Sequence, residues 1–176
     1  MTDPSTFEAS LGEAEDACFE ALCRILDLRA GVNAFIGAND GRTECAVFDI
    51  GALQTGDQTT YRAQRFHFRG QVDLYNRNRR TLQAWLMRIV AGLPVQRHGG
   101  TESFLRTDTN VVQFRVVPEP NAITSITSAD IETATAGKKI PTFTATVTFD
   151  IVFRAGLRET AAAESPDGED EDGGQA

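Results

Sequence analysis

Two histidines, three cysteines and a crowd of arginines are the side chains here with the widest chemical repertoire, and their spacing decides what they can do. His67 and His98 have no Cys, Asp or Glu at the separations that metal ligation uses. A histidine can also act as a general base, but it then needs a nucleophile within reach, and the chain has no Gly-x-Ser-x-Gly motif. The glycines of His98-Gly99-Gly100 therefore lack the partner that an oxyanion loop requires, and Gly137-Lys138-Lys139 lacks the spaced glycine of a phosphate loop. Cys18, Cys23 and Cys45 fit no metal or redox spacing. Their odd number, together with an N-terminus Met-Thr-Asp-Pro-Ser that is no secretory leader, predicts reduced, mostly buried thiols in a protein folded in the cytoplasm. These residues predict no catalytic activity, no metal and no cofactor.

Arg62, Arg65, Arg69, Arg77, Arg79 and Arg80 crowd a short span that also holds Phe66, His67 and Phe68, a mixture found on nucleic-acid surfaces. From Gln64 to Leu74, however, the side chains alternate without a break. Arg65, His67, Arg69, Gln71 and Asp73 face one way, and Phe66, Phe68, Val72 and Leu74, with Gly70 among them, face the other. The phenylalanines then belong to the core and cannot stack bases beside the arginines. The basic row is expected to be a solvated or subunit-contacting strand face. Arg77, Arg79 and Arg80 precede a helical pattern that begins at Thr81, where the helix dipole disfavours cations. Something acidic must lie nearby: Asp73 of the same chain, or an acidic patch of a neighbouring subunit. Arg65, Arg69, Arg77, Arg79 and Arg80 are thus the candidate residues of a subunit contact.

The elements that carry these residues follow from periodicity. Ser5 and Glu8 have the form of a capping box, and Phe7, Leu11, Ala14, Cys18, Ala21, Leu22 and Ile25 make a helical stripe that Gly31 is expected to end. Val32–Ile36 reads as a short strand or an extended link. Asn39-Asp40-Gly41 is a turn signal before the apolar run Cys45–Ile50, a strand that its two-sided apolar character places centrally in the sheet. Gly51–Thr60 is a loop that lets this strand pair with the alternating one as a hairpin. Leu82, Trp85, Leu86, Ile89 and Val90 form a second helix, stopped by Gly92 and Pro94, with Trp85 in the core. After a loop from His98 to Asn110 come a strand Val111–Val117, a turn at Pro118-Glu119-Pro120-Asn121, a return along Ala122–Ile126 and an exposed connection Thr127–Lys139. From Thr142 to Arg154, Phe143, Ala145, Val147, Phe149, Ile151 and Phe153 alternate with Thr142, Thr144, Thr146, Thr148 and Asp150, the longest strand of the chain. The sum is an α+β fold: a twisted, mainly antiparallel sheet with two helices packed on one face, and hairpins that project beyond the body.

With 176 residues and 41% hydrophobic content the chain supports one sizeable core. Its net charge of -8 is mostly a property of its end: Glu159, Glu164, Asp167, Glu169, Asp170, Glu171 and Asp172 supply seven of 25 acids, leaving 17 basic and 18 acidic residues up to Arg158. Residues 1–158 are therefore expected to form a single nearly neutral domain, and residues 159–176 a disordered acidic tail. No apolar run approaches the roughly 20 residues needed to cross a bilayer.

This order of elements, carried by Arg65-Phe66-His67-Phe68-Arg69 through Leu74, the helix Thr81 to Leu93-Pro94, and Phe143 to Phe153, resembles the tail terminator, or tail completion, proteins of long-tailed bacteriophages. Related neck and minor tail proteins share much of it, and the acidic tail is outside the likeness. The resemblance implies a virion structural protein without catalytic residues or cofactors: a homohexameric ring that caps the tail tube, ends its polymerisation and offers a head-binding surface. The implied partners are other copies of the chain, the tail tube protein and the head-tail connector, with genome DNA passing the lumen without sequence-specific contact. The implied location is the tail and neck of the virion, and the host cytoplasm during assembly. The competing class is a small α+β ligand-binding protein or enzyme with a pocket.

Overall fold

One strand, Lys139–Gly156, pairs with three of the other five strands of the sheet. The computed structural model describes residues 4–54, 63–93, 105, 109–133 and 137–156, and within them the elements run α1 (Pro4–Leu26), β1 (Ala34–Ile36), β2 (Cys45–Gln54), β3 (Ala63–Asn76), α2 (Arg79–Gly92), β4 (Val111–Val116), β5 (Thr127–Glu132) and β6 (Lys139–Gly156). The sheet is ordered β1-β2-β3-β6-β4, with β5 also on β6; only β1 and β2 are parallel. β3 and β6 pair antiparallel over their full overlap, from Ala63 opposite Gly156 to Asn76 opposite Phe143. The long alternations of both strands make this pairing specific, because a slip by one residue would turn every phenylalanine to the wrong face.

Both helices lie on the face to which those apolar residues point. Val147, Phe149, Ile151 and Phe153 are fully buried, Phe143 partly so, and they join Phe68, Val72 and Leu74 of β3, Cys18, Leu22 and Ile25 of α1, and Leu82, Trp85 and Ile89 of α2 in one core. The phenylalanines of β3 are packed where alternation puts them: Phe66 and Phe68 both lie against Phe7 of α1 and Phe153 of β6. Gly70 belongs to the same row for lack of room, since a Cβ there would sit 2.9 Å from Ile151 Cδ1 and 3.3 Å from the Asp49 carbonyl oxygen. The predicted α+β architecture and the two long strands are thus observed.

Several local expectations are corrected. α1 begins at Pro4, so Ser5 stands inside its first turn and not at the cap; proline suits that first position because its missing N–H has no helical partner anyway. α1 ends at Leu26, not at Gly31. Asp27 takes the left-handed conformation (φ 57°), its N–H donates to Arg24 O, and the Leu28 N–H donates to Cys23 O at 2.9 Å, the paired bonds of a Schellman cap. β2 is an interior strand with both Val47 and Phe48 buried, as its two-sided apolar pattern requires, but it lies second from the edge and not at the middle, with only the three-residue β1 outside it. The chain does not reverse after β4: the Val117 N–H donates to Thr148 O, the Thr148 N–H to Ala122 O, and the Thr124 N–H to Thr146 O. These bonds hold residues 117–124 against β6, so β4 and β5 lie end to end along the same side of it. The supposed connection Thr127–Lys139 thereby contains β5, a strand whose mostly polar, exposed side chains give no alternation and which is held by pairing to β6 alone. α2 starts two residues before Thr81, at Arg79, where Asn78 caps it. Most of the expected loops at 51–60 and 98–110, and the acidic tail, lie outside the described residues.

Beyond Phe143 the β3 partner has ended, so β5 and the start of β6 continue as a two-stranded ribbon. The Thr148–Ala122 bond directs even-numbered backbone groups of β6 toward β4 and β5, which leaves residue 141 facing the open edge. That residue is Pro141, which has no N–H to offer there and so blunts the edge against an added strand.

Candidate functional site

The sheet face opposite the helices carries the polar half of the β3 and β6 alternations, and among the described residues no helix or strand is laid across it. In register across three strands stand Arg69 of β3, Asp150 of β6 and Arg115 of β4. Asp150 is the pivot. Its side chain is 7% exposed; Oδ1 lies 2.9 Å from His67 Nε2, and Oδ2 accepts from Arg115 Nη2 at 3.4 Å. A carboxylate this buried is tolerable because each of its oxygens has a polar partner, one of them the Arg115 guanidinium. Arg69 turns away to pair with Glu119 of the Pro118–Asn121 turn. The row continues through Gln71 and Asp73, and Asp73 Oδ1 accepts from Thr146 Oγ1 at 2.5 Å. Among the described residues, the Nε atoms of Arg65, Arg69 and Arg115 are buried without a hydrogen-bond partner.

Of the five candidate residues, Arg65 and Arg69 lie on this face and the other three do not. Arg77 follows the far end of β3, about 40 Å along the strand from Arg65 at 3.4 Å per residue, and Arg79 and Arg80 are the exposed first residues of α2. Asp73 does not neutralise them, because the strand alternation points it to the open face. Arg77 instead donates to Thr43 Oγ1 at 2.9 Å and comes within 3.9 Å of Glu44. No ion pair among the described residues involves Arg79 or Arg80. The helix starts there despite its cations because Asn78 is an effective N-cap: its Oδ1 accepts from the Arg80 N–H at 2.9 Å, while Asn76 Oδ1 accepts from the Asn78 N–H.

The histidine on this face has a carboxylate partner, and no hydrogen bond among the described residues brings a hydroxyl or thiol to the pair. His98 lies outside the described residues. The thiols are free, with Cys18 and Cys45 buried, and burial raises all three pKa values, that of Cys45 to about 11. The described residues contain no cluster that could hold a metal ion and no helix long and apolar enough to cross a membrane. Sequence reasoning found the basic row but missed Asp150 and Arg115 as its partners. The available signal was Asp150 itself, the one charge in a row of threonines; what it faced depended on which strands pair with β6.

No protein-family model matches the chain, and no characterised protein matches its sequence.

Proposed function

We propose that the protein is a structural subunit of a closed homo-oligomeric ring, of the kind that caps the tail tube of a long-tailed bacteriophage, ends its polymerisation and receives the head. The observation that supports this reading is the open face of β3, β6 and β4, a broad wall of half-buried, cross-paired charges instead of a concave pocket. Side by side in a ring, six such walls would line a lumen that is charged but nearly balanced, with Arg65, Arg69, Arg115 and Arg154 set against Asp73, Glu119 and Asp150. A balanced wall neither grips DNA nor bars it, which suits a passage for the genome. Arg79 and Arg80, at the end of the molecule away from Arg65, are free to meet acidic groups of a neighbouring subunit, the tube or the connector.

The test is mass. Sedimentation velocity of the purified protein, alone and with tail tube protein, should give a species of six times the 19.1 kDa subunit, and the protein should shorten tubes that polymerise in its presence. A monomer or dimer that neither binds nor caps tube would overturn the reading. An apolar groove of about 390 Å³ between the end of α2 and residues 116–123 gives a small-molecule-binding reading its one support, and a ligand carried through purification by such a monomer would favour it.

A further inference from the structure

The two edges of the sheet present complementary surfaces that one copy cannot bring together. At one edge, the turn before β1 and β1 itself expose Val32 (61%) and Ile36 (42%). At the other, beyond β4 and some four strand spacings away, or about 19 Å, lies the apolar groove, lined by Val90 of α2, by Leu93 that caps the helix, and by Val116, Pro118, Pro120 and Ile123. Val90 is 43% exposed and Met87, one turn earlier on α2, 69%. Few exposed apolar side chains this large occur in the described residues, and they concentrate at these two places.

The match extends to layer and charge. Ile36 shares a strand face with buried Ala34, which packs toward the α1 residues Leu22 and Leu26, so Ile36 belongs to the helix side of the sheet. The groove is on the helix side as well, since α2 forms one of its walls. Phe35 points the other way, to the open side, where the Arg42 guanidinium lies 4.3 Å above its ring and donates to the Val32 carbonyl at 3.0 Å. Glu119, the groove's charged lining residue among those described, reaches the open side too, where it meets Arg69. Set edge to edge in the same orientation, two copies would place apolar against apolar in the helix layer and Arg42 against Glu119 in the open layer.

We infer that the groove receives the β1 edge, Val32 and Ile36, of a second copy of this chain, in a head-to-tail contact. The inference rests on the ring reading above and gives it its contact. Because the two halves are different surfaces, the contact repeats from copy to copy and ends only when a ring closes. It also keeps all helices on one side of the ring wall and all open faces on the other.

The experiment mixes two broken halves. Full-length Ile36→Glu spoils the edge and full-length Val90→Glu spoils the groove; both positions are exposed, and unchanged thermal unfolding confirms that each variant folds. Sedimentation velocity should show each variant alone as a monomer, with association weakened at least about tenfold. An equimolar mixture should form a dimer and nothing larger, since one intact edge fits one intact groove and the remaining halves are both broken. If the parent forms rings and either variant does so equally well, the contact is wrong and the ring reading survives. If the mixture stays monomeric while the parent assembles, the two surfaces do not meet each other and the inference fails. A parent that stays monomeric at its highest soluble concentration also overturns the contact as an autonomous one, and tube capping then decides the ring reading separately.

Discussion

At the scale of single residues, the informative positions are those where a side chain's type conflicts with its place. Asp27 holds a left-handed conformation at the C-terminal end of α1, where a non-glycine residue is strained and a negative charge opposes the helix dipole. Asp27→Gly should therefore stabilise the protein by about 1 kcal/mol, read as a shift in the denaturation midpoint; a loss of stability would mean that the carboxylate has a structural partner. Cys45 conflicts with its surroundings only when ionised. Burial pushes its pKa from 9.0 up to about 11, against a smaller downward pull from Arg42. A thiol raised in this way stabilises the fold in full below pH 9 and loses that contribution as the pH climbs toward 11. Denaturation curves across this window should fall, and fall less steeply in Cys45→Ala; identical slopes would show that Cys45 ionises as easily folded as unfolded. The helix end at Asp27 was not legible in the sequence because aspartate is only a weak left-handed signal and Gly31, four residues on, is a strong one that serves the next turn. The Asp150 pivot was hidden for a different reason, since its meaning lies in cross-strand register, and a single chain's alternation gives faces but not neighbours.

At the scale of elements, periodicity read well wherever one face is buried. β3 and β6 alternate over more than ten residues, and their apolar rows are the ones found in the core. Phe149 sits at the middle of this arrangement with no exposed surface, opposite Gly70 and against Phe114 of β4 at 5.1 Å between ring centroids. Phe149→Ala should cost about 3 to 5 kcal/mol, from lost burial and from the cavity left between two strands that cannot close in; calorimetry that finds under about 1 kcal/mol would mean that the sheet relaxes around the hole. Elements without a buried face escaped detection. β5 has mostly polar, exposed side chains, and residues 117–124, which bury only Val117 and Ala122 without any period of two, are kept on β6 by backbone bonds that no side-chain pattern encodes. The start of α2 is a mixed case: Asn78 signals the cap, yet Arg79 and Arg80 pull against it. If these cations serve an assembly contact, Arg79→Glu with Arg80→Glu should improve the helix dipole, leave the folded subunit at least as stable as the parent, and still weaken association with other copies, tube or connector. Assembly equal to the parent's would mean that the two arginines are only solvated.

At the scale of the whole molecule, charge is divided unevenly along the chain. Seven of 25 acidic residues follow Arg158, and what precedes them is almost balanced. Balance makes the open face permissive and also makes copies easy to bring together, since near-zero net charge removes the repulsion that keeps proteins apart. The acidic segment restores that repulsion. In a ring of six it would add six sets of seven carboxylates, and charges of one sign repel across about 8 to 10 Å at moderate salt. The segment would then oppose stacking of one ring on another, and association of free subunits, without touching the contacts inside a ring. Truncation after Arg158 should consequently raise self-association at low salt, and the difference from the full chain should shrink as salt is added, because screening already does for the intact protein what truncation does for the shortened one. Sedimentation velocity over a salt series separates this from any specific role: a truncated chain that associates like the parent at every ionic strength would show that these carboxylates do not govern assembly, and one that associates less would show that they take part in the contact itself.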